Sequence, residues 1–377
     1  MKNSEKIKVV FIDDGISDKY IIGLKECKIK HYVSQNNQIL PSKGADHLSH
    51  GTLCCSVFLE YAINYEILDV CVFSDKNVLL NILNAFEWCL KCNVNIICIS
   101  IGSYSYHVLK SFKSYIENLH NKKILVIAAA SNIDRVCFPA CMEHVVGVRY
   151  NNNLSKGKIE YCINPFDGIE IQANLPEKVN FLNKLVGDYQ EDIVSNSLIV
   201  PYIAATLSFF YDSYIKTINI KKWINQVIQN VYYNSFNLEY LKRHISKTES
   251  QNPVLYIDPT VEEEWVNQLI DGFKKREYTV VELNNKNLPN DLMIDIRLAK
   301  SKSISLTELL VLIEYIFSSD IVVISCRDNP FRSEEYMLVS DVFIYNDKII
   351  IKKNTETFLG GHQQIDQVIQ KVINTFS

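Results

Sequence analysis

The sequence predicts an α/β protein, with a doubly wound, mostly parallel sheet in a first domain and a second, smaller α/β domain after it. Short apolar runs alternate with segments of helical period from about residue 8 to residue 207, as expected for βαβ units. The same alternation restarts after residue 253. The length of 377 residues also exceeds the roughly 250 to 300 at which a single hydrophobic core stops growing.

The elements of the first domain can be assigned in chain order. Apolar runs without polar alternation are typical of buried parallel strands, and they are KVVFID, YEILDVCVF, VNIICISIG, KILVIAAAS and HVVGV. Amphipathic segments between them predict covering helices, namely YIIGLKE, VLLNILNAFEWCLK and VLKSFKSYIENL. After a mixed stretch at 153–190, SLIVPYIAATLSFFYDSYI predicts a long apolar helix with Pro201 in its first turn. IKKWINQVIQNVYYNSF predicts a further helix.

A polar run that ends in proline marks the domain boundary. We predict a first domain at 1–241, a linker at 242–253 and a second domain at 254–377. In the second domain the predicted strands are VLYID, YTVVEL, IVVIS, DVFIYND and KIIIKK. The predicted helices run from about Thr260 to Lys275 and over LTELLVLIEYIFSS and IDQVIQKVINTF.

Composition and charge exclude several classes of protein. Hydrophobic residues make up 47% and charged residues 22% of the chain, which argues against a disordered protein. The net charge of -4 and the absence of a long basic run argue against nucleic-acid binding. No run approaches the about 18 apolar residues of a membrane span, and no signal peptide precedes the first strand. We therefore expect a cytoplasmic protein.

The eleven cysteines are expected to be reduced thiols. Their number is odd, and Cys71 and Cys98 lie within apolar strand patterns, where a free thiol packs as a small hydrophobic group. Cys89 and Cys92 form a CxxC, but it lies in a helical segment without a second ligand pair at zinc spacing. No aspartate-rich loop indicates a calcium site, so we expect no cofactor, and calcium binding stays open without support from the sequence.

Four polar residues lie where predicted elements begin or end, and each also has an ordinary structural interpretation. Asp13 follows a strand, as a turn residue would, although parallel sheets also place functional groups at that end. His50 opens a helix and is either a structural histidine or a base that the helix holds in place. Asn132 is a turn residue or an amide donor to an oxyanion. Ser197 is a helix N-cap or a nucleophile at the positive end of the helix dipole.

The order and surroundings of these residues resemble the subtilisin-like serine peptidase (subtilase) family. Ser49-His50-Gly51-Thr52 matches the family's sequence around its histidine, ICISIG matches the strand before its Ser-Leu-Gly run, and CFPA resembles its Tyr-Pro-Ala. The resemblance covers about residues 8 to 205 and implies a subtilisin-like fold for the first domain.

The same resemblance implies a role for each residue. Asp13 is similar to the family's triad aspartate, His50 to its general base and Ser197 to its nucleophile. Asn132 is similar to the oxyanion-hole amide. The implied substrate-binding residues form one wall of the substrate cleft (Ser100, Ile101 and Gly102) and the floor of the specificity pocket (Ala128, Ala129 and Ala130).

The segment around the serine departs from the family pattern Gly-Thr-Ser-x-Ala-x-Pro. Here it reads SNSLIVP, with Ser195 and Asn196 before Ser197. Ser195 is acceptable only if this backbone does not need a positive φ, and the amide of Asn196 could still donate toward an oxyanion. Ser131 replaces the glycine of the family's Ala-Ala-Gly-Asn segment. These changes bear on catalytic rate and pocket shape more than on the fold.

The second domain carries few functional signals. Thr260 and Glu263 have the spacing of a capping box, which predicts a capped strand-to-helix turn after Asp258. Neither GxGxxG nor GxxxxGK[ST] is present. Arg327 and Asp328 follow the strand IVVIS and would either contact a ligand or be solvated.

The sequence therefore predicts an intracellular serine endopeptidase of narrow specificity, for example one that removes the leader of a ribosomally made precursor peptide. Its expected partner is a peptide or protein substrate, with neither nucleic acid nor membrane involved. The alternative is a catalytically weak or inactive subtilase-fold module that binds peptides. A third hypothesis gives the second domain a nucleotide-binding or signalling role.

Overall fold

The computed structural model describes residues 6–25, 27–104, 108–133, 135–162, 167–177, 179–186, 195–217, 220–228, 231–232, 250–285, 293–295, 304–317, 319–326, 331–346, 348–352, 356–359 and 365–376. The chain divides into two compact units, Met1–Phe236 and Asn237–Ser377. Most of the predicted linker lies outside the described residues, so the predicted boundaries stay a prediction. Within the described part of the chain, no helix is long and apolar enough to cross a membrane.

The first unit is organised by one sheet, which has ten strands within the described residues. In chain order they are β1 (Ile7–Asp13), β2 (Ile29–Gln35), β3 (Gln38–Pro41), β4 (Tyr65–Cys71), β5 (Ile96–Ile99), β6 (Leu125–Ala129), β7 (Val145–Tyr150), β8 (Ile159–Cys162), β9 (Ile171–Ala173) and β10 (Val231–Tyr232). Their spatial order is β10-β8-β9-β7-β6-β5-β1-β4-β2-β3. From β9 to β2 every neighbouring pair is parallel, whereas β3 and β8 pair antiparallel with β2 and β9.

The helices of this unit lie mostly between successive strands, as a doubly wound sheet requires. They are α1 (Asp18–Ile21), α2 (His50–Tyr61), α3 (Val78–Lys91), α4 (Leu109–Asn121), α5 (Asn180–Val186), α6 (Asn196–Ser208), α7 (Tyr211–Tyr214) and α8 (Ile220–Val227). Helix α6 is buried on all sides, as its uniformly apolar sequence predicts. It packs in one core with α2 and the central strands, through residues such as Phe58, Val9 and Ile199.

Two local predictions for this unit are wrong, and one element was missed. The long apolar helix ends at Ser208, and Pro201 is its sixth residue, inside the helix and not in its first turn. The next predicted helix ends at Val227, and the β-branched and aromatic residues Val231–Tyr232 pair with β8 instead. The hairpin of β2 and β3 was not predicted, although Asn36 and Asn37 adopt the positive φ values, 50° and 58°, that suit a two-residue turn.

The second unit contains a seven-stranded sheet among the described residues. Its strands are β11 (Val254–Ile257), β12 (Val280–Asn284), β13 (Met293–Asp295), β14 (Ile321–Ile324), β15 (Val342–Ile344), β16 (Lys348–Ile351) and β17 (Glu356–Leu359). The order is β13-β12-β14-β11-β15-β16-β17, parallel up to β15 and antiparallel beyond it. Its helices are α9 (Glu263–Lys274), α10 (Leu306–Phe317), α11 (Ser333–Val339) and α12 (Ile365–Phe376). The predicted fold class, a doubly wound, mostly parallel α/β sheet with a second, smaller α/β domain, is confirmed.

The capping box predicted at Thr260 is not formed. Helix α9 begins at Glu263 with Glu262 as its N-cap residue. The backbone and hydroxyl of Thr260 both donate to Asp258 Oδ1, which closes a turn before the helix. The other residues singled out in this domain, Arg327 and Asp328, lie outside the described residues.

Candidate active site

The candidate site lies at the carboxyl edge of the first sheet. Strands β1, β5 and β6 are consecutive neighbours and parallel, so the residues that end them face the same edge. Asp13 ends β1, Ser100 follows β5, and Asn132 follows β6. Helices α2 and α6 bring His50 and Ser197 to this edge in their first turns.

The structure joins Asp13, His50 and Ser197 in one hydrogen-bonded chain. Nδ1 of His50 lies 2.9 and 3.0 Å from the two carboxylate oxygens of Asp13. Nε2 of the same ring lies 2.8 Å from Oγ of Ser197. Asp13 is 2% exposed and Ser197 7%, whereas the side chain of His50 is 39% exposed. A buried acid and a buried hydroxyl thus contact opposite nitrogens of one accessible imidazole.

Helix α2 is fastened to the end of β1 by the residues that follow Asp13. The carboxylate of Asp14 accepts hydrogen bonds from the backbone N–H groups of His50 (3.0 Å) and Gly51 (2.7 Å). The side chain of Ser49, the N-cap residue, accepts from the Thr52 N–H and donates to the carbonyl of Gly15. These bonds satisfy N–H groups that lack partners inside the helix, and they fix the backbone of His50 beside Asp13.

Gly51 allows this close approach of helix and strand. A Cβ at position 51 would lie 2.7 Å from the carbonyl oxygen of Gly15 and 3.2 Å from Cβ of Asp13. The glycine of the His-Gly-Thr motif is therefore required by contact between backbones.

The backbone before Ser197 accommodates the residues that depart from the family pattern. Ser195 has φ -121° and ψ 168°, an extended conformation that any residue adopts, so glycine is not needed there. Asn196 does not donate toward an oxyanion as the sequence suggested it could. Its Nδ2 donates to the carbonyls of Ala130 (3.2 Å) and Ser131 (2.8 Å), and its Oδ1 accepts from the Tyr150 N–H. Asn196 therefore fastens α6 to the ends of β6 and β7.

Asn132 lies next to the segment that contains Ser197 and is exposed. Its Oδ1 accepts a hydrogen bond of 3.2 Å from the backbone N–H of Asn196. This contact uses the oxygen of the amide, which leaves the NH₂ group as a donor. The backbone N–H of Ser197 lies in the first turn of α6 and has no acceptor inside the helix. The Asn132 NH₂ group and the Ser197 N–H can therefore both donate to a bound ligand.

The hydrogen bond to Asp13 raises the pKa of His50 above its usual value of 6.5. A higher pKa makes the neutral imidazole a stronger base toward the Ser197 hydroxyl, and it stabilises the imidazolium that forms on proton transfer.

A second histidine anchors the loop after Asp13. His31 Nδ1 lies 2.8 Å from Oδ2 of Asp69, and the same oxygen accepts from the Ile16 N–H at 2.9 Å. Nε2 of His31 lies 3.2 Å from Asp18. Burial lowers the pKa of His31, but the hydrogen bond to Asp69 and the charges of both aspartates outweigh it, so the pKa is raised overall. These contacts tie Ile16 and Asp18, in the segment after Asp13, to His31 and Asp69.

Cys54 lies beneath the imidazole, one helical turn after His50. Its Sγ is 3.9 Å from each ring nitrogen, 3.6 Å from Ser100 Oγ and 3.7 Å from the Ser197 carbonyl. That carbonyl lacks its usual intrahelical donor, because Pro201 has no N–H. Burial raises the pKa of Cys54, which keeps it a neutral thiol.

Asp13, His50 and Cys54 also form a group whose ligand atoms lie within 4.8 Å of one another, a spacing that could hold a metal ion.

The residues assigned to substrate binding lie on either side of this edge. Ala128 and Ala129 end β6 and Ala130 follows it, all three buried. The segment Ser100, Ile101 and Gly102 follows β5, and Gly102 is exposed. A Cβ at Gly102 would lie 2.1 Å from Cys137 Sγ, so this segment is in close contact with the segment that contains Cys137. The roles of these six residues stay predictions.

Three further residues of the site were missed from the sequence. Asp14 was not predicted to belong to the site, although a second carboxylate directly before Gly-Ile was a visible signal. Cys54 follows His50 by one helical turn, and this i, i+4 spacing places both on one helix face. The contact of Ser195 with Ser197 had no signal in the sequence.

The subtilase family model matches residues 4–256, so this chain belongs to the subtilase family, which is a family of serine peptidases. The predicted subtilisin-like fold of the first domain is thereby confirmed. No curated protein matches the chain.

Several solved structures are similar to parts of the chain. The prenylagaramide maturation protease PagA is 19% identical, with 56% of this chain and 78% of that chain covered and a TM-score of 0.39. The nisin leader peptidase NisP from Lactococcus lactis is 19% identical, with 56% and 79% covered and a TM-score of 0.40. The epidermin leader peptide processing serine protease EpiP from Staphylococcus aureus is 16% identical, with 66% and 71% covered and a TM-score of 0.40.

Proposed function

We propose that this chain is a serine endopeptidase in which Asp13, His50 and Ser197 act as a catalytic triad. The observation that carries the proposal is the unbroken hydrogen-bonded chain from the carboxylate through the imidazole to the hydroxyl. A serine hydroxyl is a poor nucleophile at neutral pH, and such a chain supplies the base that activates it.

The proposed reaction begins when Oγ of Ser197 attacks the carbonyl carbon of a peptide bond. Nε2 of His50 takes the hydroxyl proton, while Asp13 holds the Nδ1–H tautomer and stabilises the imidazolium. Asn132 Nδ2 and the Ser197 N–H donate to the oxyanion. The imidazolium then protonates the leaving amine, and a water molecule activated by His50 hydrolyses the acyl-enzyme.

The proposed substrate is a ribosomally made precursor peptide from which a leader is removed, with the second α/β domain recognising the substrate. This proposal follows from the layout of a peptidase domain joined to a domain without a phosphate-binding motif. We place the enzyme in the cytoplasm, because its cysteines are free thiols, most of them buried, and such thiols favour a reducing compartment.

Cleavage of a peptide library tests this proposal. The wild-type protein is expected to cut a narrow set of peptides, and Ser197→Ala is expected to cut none. Thr206→Ala is the matched control and is expected to cut like the wild type. It removes a hydroxyl from the same helix, and that hydroxyl donates to the Tyr202 carbonyl. A wild-type protein that binds library peptides without cutting them would favour the alternative, a peptide-binding module on the same fold.

A further inference from the structure

The hydroxyl of Ser195 lies against the nucleophile. Its Oγ is 2.6 Å from Oγ of Ser197, which is also in contact with His50 Nε2 at 2.8 Å. Neither the family pattern nor the ordinary triad mechanism requires a hydroxyl at position 195. We propose that Ser195 is a further catalytic residue whose hydroxyl donates a hydrogen bond to Ser197 Oγ. This inference rests on the proposed function of Ser197.

The direction of this hydrogen bond follows from the protons available. Asp13 accepts from Nδ1 of His50, so Nε2 of the neutral ring is an acceptor. Ser197 has one hydroxyl proton, and it must point at Nε2 for the base to remove it. The two serine oxygens are 2.6 Å apart, so the hydrogen bond between them must use the Ser195 proton, with Ser197 Oγ as the acceptor.

Ser195 is free to make this contact because it does not cap the helix. A serine at the N-cap ordinarily accepts from the N–H two or three residues on, which here belong to Ser197 and Leu198. Ser195 is the N-cap residue of α6, yet its side chain makes no capping hydrogen bond. Leu198 N–H donates to the Ser195 carbonyl instead, and the Ser197 N–H is left for the oxyanion.

The donated hydrogen bond acts on the charge that develops on Ser197. It stabilises negative charge on Oγ as the proton passes to His50, and Ser195 keeps its own proton throughout. In acylation this stabilisation is partly cancelled, because the same hydrogen bond occupies a lone pair of Ser197 Oγ and makes the oxygen a weaker nucleophile. In deacylation Ser197 Oγ is the leaving group, and a donor on it assists its departure directly. We therefore expect the larger effect on deacylation.

Burst kinetics with p-nitrophenyl acetate separate the two steps. The first turnover reports acylation of Ser197, and the later steady rate reports deacylation. Loss of one hydrogen bond of ordinary strength predicts that Ser195→Ala slows deacylation about tenfold and acylation less. Ser195→Thr keeps the hydroxyl and is expected to retain most of the rate. Ser208→Ala removes a hydroxyl that bonds to Ala205 at the other end of α6 and is expected to match the wild type.

The outcomes separate this inference from the proposed function. Deacylation that is unchanged in Ser195→Ala, or equally slow in Ser195→Thr and Ser195→Ala, would overturn the role of Ser195 while the triad stands. A thermal unfolding temperature equal to that of the wild type shows that the slower variant is folded. A wild-type protein with no burst and no acyl group on Ser197 would refute the proposed function, and the role of Ser195 with it.

Discussion

At the scale of single residues, the imidazole of His50 is held between a buried carboxylate and a buried hydroxyl. The hydrogen bond that the imidazole donates to Asp13 fixes the ring and raises its pKa. The same ring is partly open to solvent, so it can exchange protons with water and reach a substrate.

This arrangement predicts the pH dependence of the reaction. The imidazole acts as a base only when it is neutral, so activity is lost as the pH falls through the pKa of His50. Because Asp13 raises that pKa, the acid limb of the rate profile is expected above pH 6.5. Asp13→Asn is expected to move the limb to lower pH and to reduce the rate at every pH, because the amide also favours the wrong tautomer.

Rates of fluorophosphonate labelling between pH 5 and 10 measure this limb. A wild-type midpoint below 6.5, or a midpoint that does not move in Asp13→Asn, would contradict the proposed coupling between the two residues.

The positions of Asp13, His50, Asn132 and Ser197 could be found from the sequence, because each lies at the end or the start of a patterned element and because their order resembles that of the subtilase family. The contacts of the residues beside them could not. Asn196 could equally have faced an oxyanion or the sheet, and only the approach of α6 to β6 and β7 decides between the two. The conformation at Ser195 was likewise open until its φ was known.

At the scale of elements, the site depends on how α2 is attached to β1. Asp14 accepts from two N–H groups in the first turn of the helix, and Gly51 allows the helix to approach the carbonyl of Gly15. A negative charge at this end also complements the helix dipole. The strand that carries the acid and the helix that carries the base are therefore joined by adjacent residues.

Asp14→Ala is expected to lower both stability and activity. Loss of a helix cap predicts a decrease of about 1 to 2 kcal/mol in the free energy of unfolding. The labelling rate of Ser197 is expected to decrease as well, because the backbone of His50 is no longer held. Asp46→Ala is the control, since Asp46 is an exposed residue of the loop before α2 that pairs with the exposed His47.

Denaturant unfolding and labelling rates measure the two effects. If Asp14→Ala unfolds with the same free energy and labels at the same rate as Asp46→Ala, Asp14 does not position His50.

Elements with a strong apolar pattern were predicted well, and those set by local backbone preferences were not. The amphipathic stretch VLLNILNAFEWCLK coincides with α3 from Val78 to Lys91. By contrast, α9 begins three residues after the predicted Thr260, because Asp258 draws Thr260 into a turn. Val231 and Tyr232 form a strand because β8 offers a partner, which no local pattern reveals.

At the scale of the whole molecule, the two units have separate hydrophobic cores. Asp13, His50, Asn132 and Ser197 all lie in the first unit, whose core is formed by residues from β1 to α8. The core of the second unit is formed by residues from β11 to α12, with Leu269 fully buried within it. The division into two domains was predictable because the βαβ alternation stops and restarts.

Separate cores predict that the two units can be destabilised separately. Leu269→Ala is expected to lower the unfolding free energy of the second unit by about 2 to 5 kcal/mol. Labelling of Ser197 at 25 °C is expected to stay unchanged, because the first core is intact. Calorimetry combined with labelling measures both quantities. Loss of labelling in step with unfolding of the second unit would contradict this independence.

The central claim is that the imidazole of residue 50 activates the hydroxyl of residue 197, and the fluorophosphonate labelling rate of His50→Ala tests it most directly. The rate is expected to fall by a factor on the order of 10⁴ or more relative to the wild type, with the adduct mapped to Ser197. His47→Ala, which removes an exposed histidine three residues away, is expected to label at the wild-type rate. Equal labelling of His50→Ala and wild type, or an adduct on another residue, would contradict the claim.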